Sequence, residues 1–285
     1  MKTIHSLSEN LSEGMMLPKG SSDERGNPEA GYFRYNTDDK KIEVFDGTDW
    51  SSMDYAPSYV TSGLAMHFDA GNPNSYGGTG STWSDLSQGG NDGSITGASY
   101  NSEGHFTFDG SNDYVSTSFS PSFSNSREYS LEMWVKLSSS YTSYNYHPLF
   151  GSDPTDGMLA GVRGAVGSPT DNGKLEFSET NTLSQAYGIR YDGQTYFDDA
   201  WHQIIYIAES TELNIHVDGN LVHDIVNSRP GGVLGGNHGL NLMSAFSGVG
   251  KTKGDLAIVR VYLDKALSTS EVTQNFNANK SRFGL

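Results

Sequence analysis

Residues 213–222, LNIHVDGNLV, carry the pattern that decides how this chain folds. Apolar residues alternate with polar ones along the first half of the stretch, which is typical of a strand with one buried face. The dipeptide Asp218-Gly219 is the sequence that two-residue type I′ turns prefer. The stretch therefore predicts a β-hairpin, and a two-residue turn would place Ile215 opposite Val222.

The acidic residues of this hairpin are too far apart to cleave a glycosidic bond together. Glu212 and Asp218 share one face of the extended chain, but six residues separate their Cα atoms by about 20 Å. Retaining glycosidases hold two carboxyl groups about 5 Å apart, and inverting enzymes hold them up to about 9.5 Å apart. We therefore expect a protein that binds rather than an enzyme, unless distant strands bring two other acids together.

Strand patterns recur along most of the remaining chain. YSLEMWVKL (129–137) has one apolar face and one mixed face that includes Trp134. HQIIYIA (202–208) and GDLAIVRVYL (254–263) are apolar on both faces, which indicates central strands of a sheet. HFTFDGSNDYVST (105–117) predicts two strands around a turn.

One short helix is predicted close to the last residues of the sequence. LSTSEVTQNF (267–276) has Ser268 at the N-cap and Glu271 at N3, which is a capping box, and Leu267 and Val272 occupy the hydrophobic-staple positions. Regularly spaced strands followed by one helix predict an all-β fold. The expected architecture is a two-sheet antiparallel jelly-roll sandwich with a short C-terminal helix.

A smaller module precedes the sandwich. Residues 31–50, GYFRYNTDDKKIEVFDGTDW, predict a β-hairpin around a polar turn. An isolated hairpin buries little apolar surface, so it needs another copy of itself or another protein to pack against. The polar stretch 51–62 indicates a linker, and the domains are therefore expected at 1–58 and 59–285.

The composition limits the expected partners and chemistry. The formal net charge of -16 repels phosphate backbones and anionic lipids, so neither nucleic acid nor a membrane is an expected partner. The chain has no cysteine, which excludes disulfides and cysteine nucleophiles.

AFSGVGKT (245–252) is similar to a phosphate-binding loop, but a strand pattern follows where such a loop needs a helix. The first residues show no apolar run typical of a signal peptide.

Two tyrosine-rich stretches, residues 138–150 and 186–197, are the expected ligand-contacting surface. Flat aromatic faces stack on sugar rings while polar neighbours bind the hydroxyl groups. The alternative is that these rings pack over the edge of the sandwich. The candidate sugar-binding residues are Tyr141, Tyr144, Tyr146, His147, Tyr187, Arg190, Tyr191 and Tyr196.

Three turns rich in aspartate and asparagine offer oxygen ligands for a cation. A hard cation such as Ca²⁺ prefers such oxygens. Asp and Asn side chains also build turns through local hydrogen bonds, which is the alternative interpretation. The candidate Ca²⁺ ligands are Asp69, Asn72, Asp109, Asp113, Asp153 and Asp156.

An ordered set of segments in residues 60–285 resembles the laminin-G-like domains of the concanavalin A-like lectin/glucanase superfamily. The segments include FTFDGSNDYV (106–115), YSLEMWVK (129–136), WHQIIYI (201–207) and NIHVDGNLV (214–222). The resemblance implies a two-sheet jelly roll with a glycan- or protein-binding role, often with Ca²⁺. It supplies no shared catalytic motif.

Other segments resemble structural proteins of tailed bacteriophages. ALSTSEVTQNFNANKSRFGL (266–285) and DAGNPNSY (69–76) are similar to the form of the domain found there, and residues 17–50 are similar to short β units of phage fibres. The resemblance implies a non-enzymatic virion surface protein, a fibre or capsid-decorating fibre, assembled in the host cytoplasm. Residues 1–58 would bind other virion proteins and form a homotrimer, and the sandwich would bind host surface glycans. The alternatives are a purely structural capsid-decoration or tail-adaptor protein without sugar binding, and a glycan depolymerase.

Overall fold

The chain forms two compact units, Met1–Ala56 and Pro57–Leu285. The computed structural model describes residues 17–53, 58–120, 127–140, 146–152, 158–164, 172–180, 186–190, 193–225, 239–245 and 250–285. None of the helices in these ranges is long and apolar enough to cross a membrane.

The N-terminal unit is one four-stranded sheet. Its strands are β1 (Lys19–Gly20), β2 (Tyr32–Asn36), β3 (Lys41–Phe45) and β4 (Trp50–Met53). β1 pairs in parallel with β2, and the other pairs are antiparallel and follow the chain order. The predicted hairpin is confirmed as the β2–β3 pair.

One face of this small sheet buries charged side chains. Arg34 and Glu43 lie opposite each other across β2 and β3, and both are almost completely buried. Arg25 Nη2 lies 2.6 Å from Glu43 Oε2, and Arg34 Nε lies 3.3 Å from Glu43 Oε1. The hydrogen bond from Arg25 holds the pKa of the Glu43 carboxyl below its ordinary value. An ion-pair network rather than an apolar core therefore holds this face.

The opposite face of the N-terminal sheet exposes apolar side chains. Phe33 is 44% exposed, Tyr35 36% and Ile42 40%. Phe33 pairs across the strands with Val44, and Tyr35 pairs with Ile42, so the exposed rings and aliphatic groups form one continuous patch. Adjacent exposed apolar groups of this kind mark interaction surfaces more often than scattered single residues do.

The second unit is a sandwich of two antiparallel sheets with one C-terminal helix, as predicted. Its strands are β5 (Leu64–Asp69), β6 (Thr82–Trp83), β7 (Gly93–Thr96), β8 (Ser99–Asn101), β9 (His105–Asp109), β10 (Tyr114–Thr117), β11 (Tyr129–Leu137), β12 (Tyr146–Gly151), β13 (Met158–Arg163), β14 (Leu175–Thr180), β15 (Ala186–Arg190), β16 (Trp201–Ala208), β17 (Leu213–Val217), β18 (Asn220–Ile225), β19 (Asn241–Leu242) and β20 (Lys253–Leu263). Sheet I has the order β18-β17-β16-β11-β20-β9-β8, with β5 also paired to β20. Sheet II has the order β15-β14-β13-β12-β19-β10-β7-β6.

The alternation predicted for β11 is confirmed. Leu131, Met133, Val135 and Leu137 belong to the main apolar cluster between the sheets, while Trp134 belongs to a separate cluster. β16 and β20 flank β11 at the centre of sheet I, which explains why both are apolar on two faces.

The hairpin of residues 213–222 forms as β17 and β18, with one difference in register. Asp218 (φ 49°) and Gly219 (φ 81°) both adopt the left-handed conformation that a type I′ turn requires. A β-bulge between Ile215 and His216 shifts the pairing, so Ile215 lies opposite His223 and not Val222. The bulge leaves Val222 without a directly paired residue on β17. The sequence of the turn alone does not predict this extra residue.

Helix α1 (Thr269–Asn279) closes the outer face of sheet I. The predicted capping box is confirmed, because the Ser268 hydroxyl accepts from the Glu271 backbone N–H and the Glu271 carboxylate accepts from the Ser268 N–H. Trp134 stacks against Phe283 with a ring distance of 4.4 Å and against Phe276 at 5.8 Å. A covered Trp134 agrees with its central position on β11.

A buried ion pair lies beside this aromatic stack. Arg260 Nη1 donates to Glu132 Oε1 at 2.8 Å, and Asn275 of α1 donates to Glu132 Oε2 at 2.6 Å. Gln203 Nε2 donates to Glu132 Oε1 at 2.9 Å. The carboxylate thus receives donors from β20, α1 and β16, which ties the helix to the sheet.

Candidate functional site

A row of polar side chains crosses sheet I beyond the area that α1 covers. Pairing of neighbouring strands places Trp201, Lys136, Asp255, Thr107 and Ser99 side by side on β16, β11, β20, β9 and β8. Directly paired residues of antiparallel strands point to the same face. The row is therefore a continuous polar strip on the outer face of the sheet, with an aromatic ring at one end.

A small cleft opens along this strip. Its volume is about 170 Å³, below the 300–1,000 Å³ typical of pockets for drug-sized ligands. We call it the polar cleft, and it is lined by Thr107, Phe108, Lys136, Ser138, Asp199, Lys253, Gly254 and Asp255. Its lining of hydroxyl, ammonium and carboxylate groups suits a small polyhydroxylated ligand group.

Asp255 is the hydrogen-bonding centre of the polar cleft. Thr107 Oγ1 donates to its Oδ1 at 2.7 Å, and Lys136 Nζ lies 2.7 Å from its Oδ2. The Lys136 ammonium is also 5.4 Å from the centre of the Trp201 ring, within cation–π range. His105 lies edge-on to the same ring at 5.5 Å, and burial lowers the pKa of this imidazole. These contacts fix Asp255 and Lys136 before any ligand arrives.

Asp199 also lines the polar cleft, from the loop that leads into β16. It adopts a left-handed conformation (φ 60°), and its amide donates to Leu137 O at 3.1 Å. Both carboxylate oxygens accept hydrogen bonds from Ser139, one from the backbone amide and one from the hydroxyl. These two bonds hold the pKa of Asp199 below its ordinary value.

A histidine clamp holds the residue next to Asp199. His202 Nε2 lies 3.0 Å from Asp198 Oδ2, and His202 Nδ1 lies 2.7 Å from Asp218 Oδ2. Burial lowers the pKa of His202, but its hydrogen bonds to the two carboxylates outweigh burial and raise it overall. An imidazole between two carboxylates donates to both only when it is protonated. The clamp joins the loop of Asp199 to the β17–β18 turn.

The structure describes five of the eight predicted sugar-binding residues. Tyr141, Tyr144 and Tyr191 lie outside the described residues, and Tyr187 and Arg190 lie on β15 at the edge of sheet II. Half-buried Tyr146 begins β12, and its hydroxyl is 3.5 Å from Glu176 O. Tyr146 does not line the polar cleft.

His147 and Tyr196 correct the prediction, because both are interior residues. His147 is fully buried, with its ring edge-on to Phe197 at 5.0 Å and its Nδ1 3.3 Å from Lys251 O. Tyr196 is 3% exposed and packs edge-on to His202 at 5.2 Å. Neither ring has a face open to a sugar, since both help to close the apolar core.

The oxygens predicted to bind Ca²⁺ are engaged in turns and do not converge. Asp69 Oδ1 accepts from Gly71 N and lies 2.7 Å from Arg282 Nη1, and Asn72 Oδ1 accepts from Asn74 N. Within the described part of the chain, no three acidic or imidazole side chains are grouped to hold a metal ion.

The second predicted Ca²⁺ turn has the same local character. Asp109 Oδ1 accepts from Ser111 N at 2.7 Å, and Asp113 Oδ2 accepts from Asp109 N at 2.8 Å. Burial raises the pKa of Asp113. The four described candidates therefore do not fit a shared cation, and Asp153 and Asp156 lie outside the described residues.

Sequence reasoning missed the polar cleft because its members are far apart in the chain. The available signal is that Lys136, Lys253 and Asp255 are charged residues near the ends of strands that are otherwise rich in apolar residues. Only the register between β11 and β20 shows that Lys136 and Asp255 are neighbours.

The N-terminal unit contains a larger cleft of about 520 Å³. Its walls include Tyr32, Arg34 and Trp50, and the guanidinium of Arg34 lies 5.7 Å from the centre of the Trp50 ring. This cleft belongs to the unit that precedes the sandwich.

Comparison with known families identifies the sandwich. The family profile described as concanavalin A-like lectin/glucanases superfamily, Laminin_G_3, matches residues 109–273, which is more than half of the 285 residues. The matched region contains four of the cleft residues that carry charge: Lys136, Asp199, Lys253 and Asp255. No curated protein matches the chain.

Several solved structures are similar in fold. The binding domain of botulinum neurotoxin serotype D superposes with a TM-score of 0.58 at 13% identity, over 75% of this chain and 51% of that one. The binding domain of Paraclostridial Mosquitocidal Protein 1 gives 0.56 at 12% identity, over 76% and 52%. The serotype D ligand binding domain in complex with N-acetylneuraminic acid gives 0.56 at 12% identity, over 75% and 50%. The chain spans about half the length of these structures, and identities this low establish likeness of fold alone.

Proposed function

The chain belongs to the concanavalin A-like lectin/glucanases superfamily, and we propose that its sandwich is a glycan-binding module that uses the polar cleft. The proposal rests on the fold and on the chemistry of the cleft. A solved structure of the same fold was obtained in complex with N-acetylneuraminic acid, which supports a sugar as the ligand class.

The observation that carries the proposal is the ordered strip of polar groups beside Trp201. Sugar hydroxyls need directional donors and acceptors, and the cleft offers the hydroxyls of Thr107 and Ser138 together with ammonium groups. Internal hydrogen bonds already fix Asp255, so binding would require little reordering. The Trp201 ring at the end of the strip packs against Phe283 at 4.8 Å and is half-buried, so its remaining exposed part adds apolar surface for the C–H face of a sugar.

The acids of the cleft favour binding over hydrolysis. A glycosidase needs a general acid whose pKa is raised. The pKa of Asp199 is lowered instead, because Ser139 donates to both carboxylate oxygens. Asp255 is engaged by Thr107 Oγ1 at one carboxylate oxygen and by Lys136 Nζ at the other.

We propose further that the N-terminal unit attaches the protein to a bacteriophage virion and forms a homotrimer, with the sandwich displayed outward toward host glycans. The exposed apolar patch of Phe33, Tyr35 and Ile42 supports an assembly role for this unit. Copies displayed on one particle would convert weak contacts with single sugars into strong multivalent adhesion.

The glycan-binding proposal is tested by filling the cleft. Ser138→Phe places a ring at the cleft wall, and Thr273→Phe is the matched control on the exposed face of α1. Full-length protein is applied to a glycan array with Ca²⁺ and with chelator, and bound polysaccharide is assayed for shortening. We expect saturable binding that Ser138→Phe lowers at least about tenfold and Thr273→Phe leaves unchanged, with no shortening. Equal binding by both variants would exclude the polar cleft as the site.

The assembly proposal has a separate test. Phe33→Ser combined with Ile42→Ser removes apolar area from the patch, while Lys40→Ser changes an exposed residue of the intervening turn. Light scattering after size-exclusion chromatography is expected to give a trimer for the parent and the control and a monomer for the double variant. A monomeric parent protein would refute self-assembly.

A further inference from the structure

The carboxylates of the polar cleft already have internal donors. Asp255 binds Thr107 Oγ1 through Oδ1 and Lys136 Nζ through Oδ2, at 2.7 Å each. Asp199 receives two hydrogen bonds from Ser139. Each carboxylate oxygen of Asp255 and Asp199 therefore already has one donor from the protein.

Lys253, in contrast to the two acids, has few partners in the protein. It lies at the start of β20 and lines the same cleft. Among the described residues its ammonium forms no ion pair, and its hydrogen bond is to Ser140 Oγ at 3.4 Å. An ammonium group has three donors, so Lys253 keeps donors for a ligand. Lys136, by contrast, is held by Asp255.

From this inventory we infer that the polar cleft recognises a sugar that bears a carboxylate, which Lys253 Nζ receives. The inference rests on the glycan-binding function proposed above and specifies its ligand class. The donors of Lys253 Nζ still need an acceptor, which a ligand carboxylate would supply. A charge-assisted hydrogen bond of this kind is about twice as strong as a neutral one. A single ammonium matches the single charge of a uronic or sialic acid.

The net negative charge of the protein limits the binding of acidic sugars to the site of the Lys253 ammonium. The formal net charge is -16, so the protein repels an anionic polymer in general. Repulsion from charges farther away than about 8 Å is screened at physiological salt, whereas a contact ion pair in a cleft is screened much less. Acidic sugars are therefore held at the cleft and not over the surface at large.

The test compares matched sugars on the full-length protein. The probes are sialyllactose with lactose, and tetragalacturonate with its carboxyl-reduced neutral counterpart, measured by titration calorimetry at about 0.15 M salt. We expect at least one acidic probe to bind about tenfold or more tightly than its neutral partner. Lys253→Gln is expected to remove this preference, Lys253→Arg to retain it, and Lys40→Gln in the N-terminal unit to leave it unchanged.

The outcomes separate this inference from the function on which it rests. Equal affinity for the acidic and neutral members of a pair would overturn the inference and leave glycan binding intact. A preference for the acidic member that survives Lys253→Gln would also overturn it, since the carboxylate would then bind elsewhere. Failure of the parent protein to bind any sugar on the array or in solution would overturn both. Circular dichroism of each variant shows whether the fold is retained.

Discussion

Replacing Arg260 with methionine is expected to destabilise the sandwich strongly, because it leaves Glu132 buried without a counter-charge. Glu132 is 0% exposed and Arg260 1% exposed. Removing one member of a buried ion pair costs about 3–5 kcal/mol. For a unit of this size, that corresponds to a fall in melting temperature of about 10 °C. Urea unfolding followed by near-UV circular dichroism measures the loss.

A double-mutant cycle separates the charge effect from lost packing. Arg260 also lies 4.2 Å from the centre of the Tyr59 ring and donates to Asn279 Oδ1. Arg260→Met loses these contacts too, but combining it with Glu132→Gln removes the buried charge without restoring them. The double variant is therefore expected to recover about 1–2 kcal/mol relative to Arg260→Met alone.

The matched control is Arg127→Met at the surface. Arg127 Nε lies 2.6 Å from Asp264 Oδ1, but the Asp264 side chain is 71% exposed. Exposed pairs contribute about 1 kcal/mol or less, so this variant should remain close to the parent. The reasoning would be refuted if both methionine variants had the same free energy of unfolding, or if the double variant recovered nothing.

Three further changes test other parts of the sandwich. Replacing His202 with Gln should flatten the pH dependence of stability. Because the pKa of His202 is raised, its contribution to the free energy of unfolding is full below pH 6.5 and is lost as the pH rises through the folded pKa. Thermal melts across this pH range would show the difference. Trp134→Ala should cost about 3–5 kcal/mol in urea unfolding, because the ring is fully buried and stacks against Phe276 and Phe283; a loss below 1 kcal/mol would contradict the stacking. Gly219→Ala should cost about 1 kcal/mol or more, because φ is 81° and the new Cβ would lie 3.1 Å from Phe276; an equally stable variant would argue against the type I′ turn.

Local patterns in the sequence predict the elements of the sandwich well. Periodicity gives β11, β16, β17 and β20, and the capping box gives the start of α1, because each signal lies within a few neighbouring residues. The β17–β18 register departs from prediction by one residue, since a bulge has no strong local signal here.

The candidate site was harder to predict, because it depends on pairing between distant strands. Tyr196 has the composition of a ligand loop around it, yet its ring closes the core. Lys136 and Asp255 are more than a hundred residues apart and meet only through the β11–β20 register. A tyrosine's exposure and a salt bridge's partner are both tertiary properties that single-sequence patterns do not contain.

The position of β20 at the centre of sheet I has a consequence for biosynthesis. β20 is the last of the described strands, yet it pairs with β5, β9 and β11, which the ribosome makes much earlier. Sheet I cannot close until residues 253–263 have left the exit tunnel, so the earlier strands wait with unpaired edges. Such long-range pairing slows folding and exposes nascent chains to aggregation. Chaperone capture of stalled nascent chains is thus expected to persist until β20 emerges and to fall sharply afterwards.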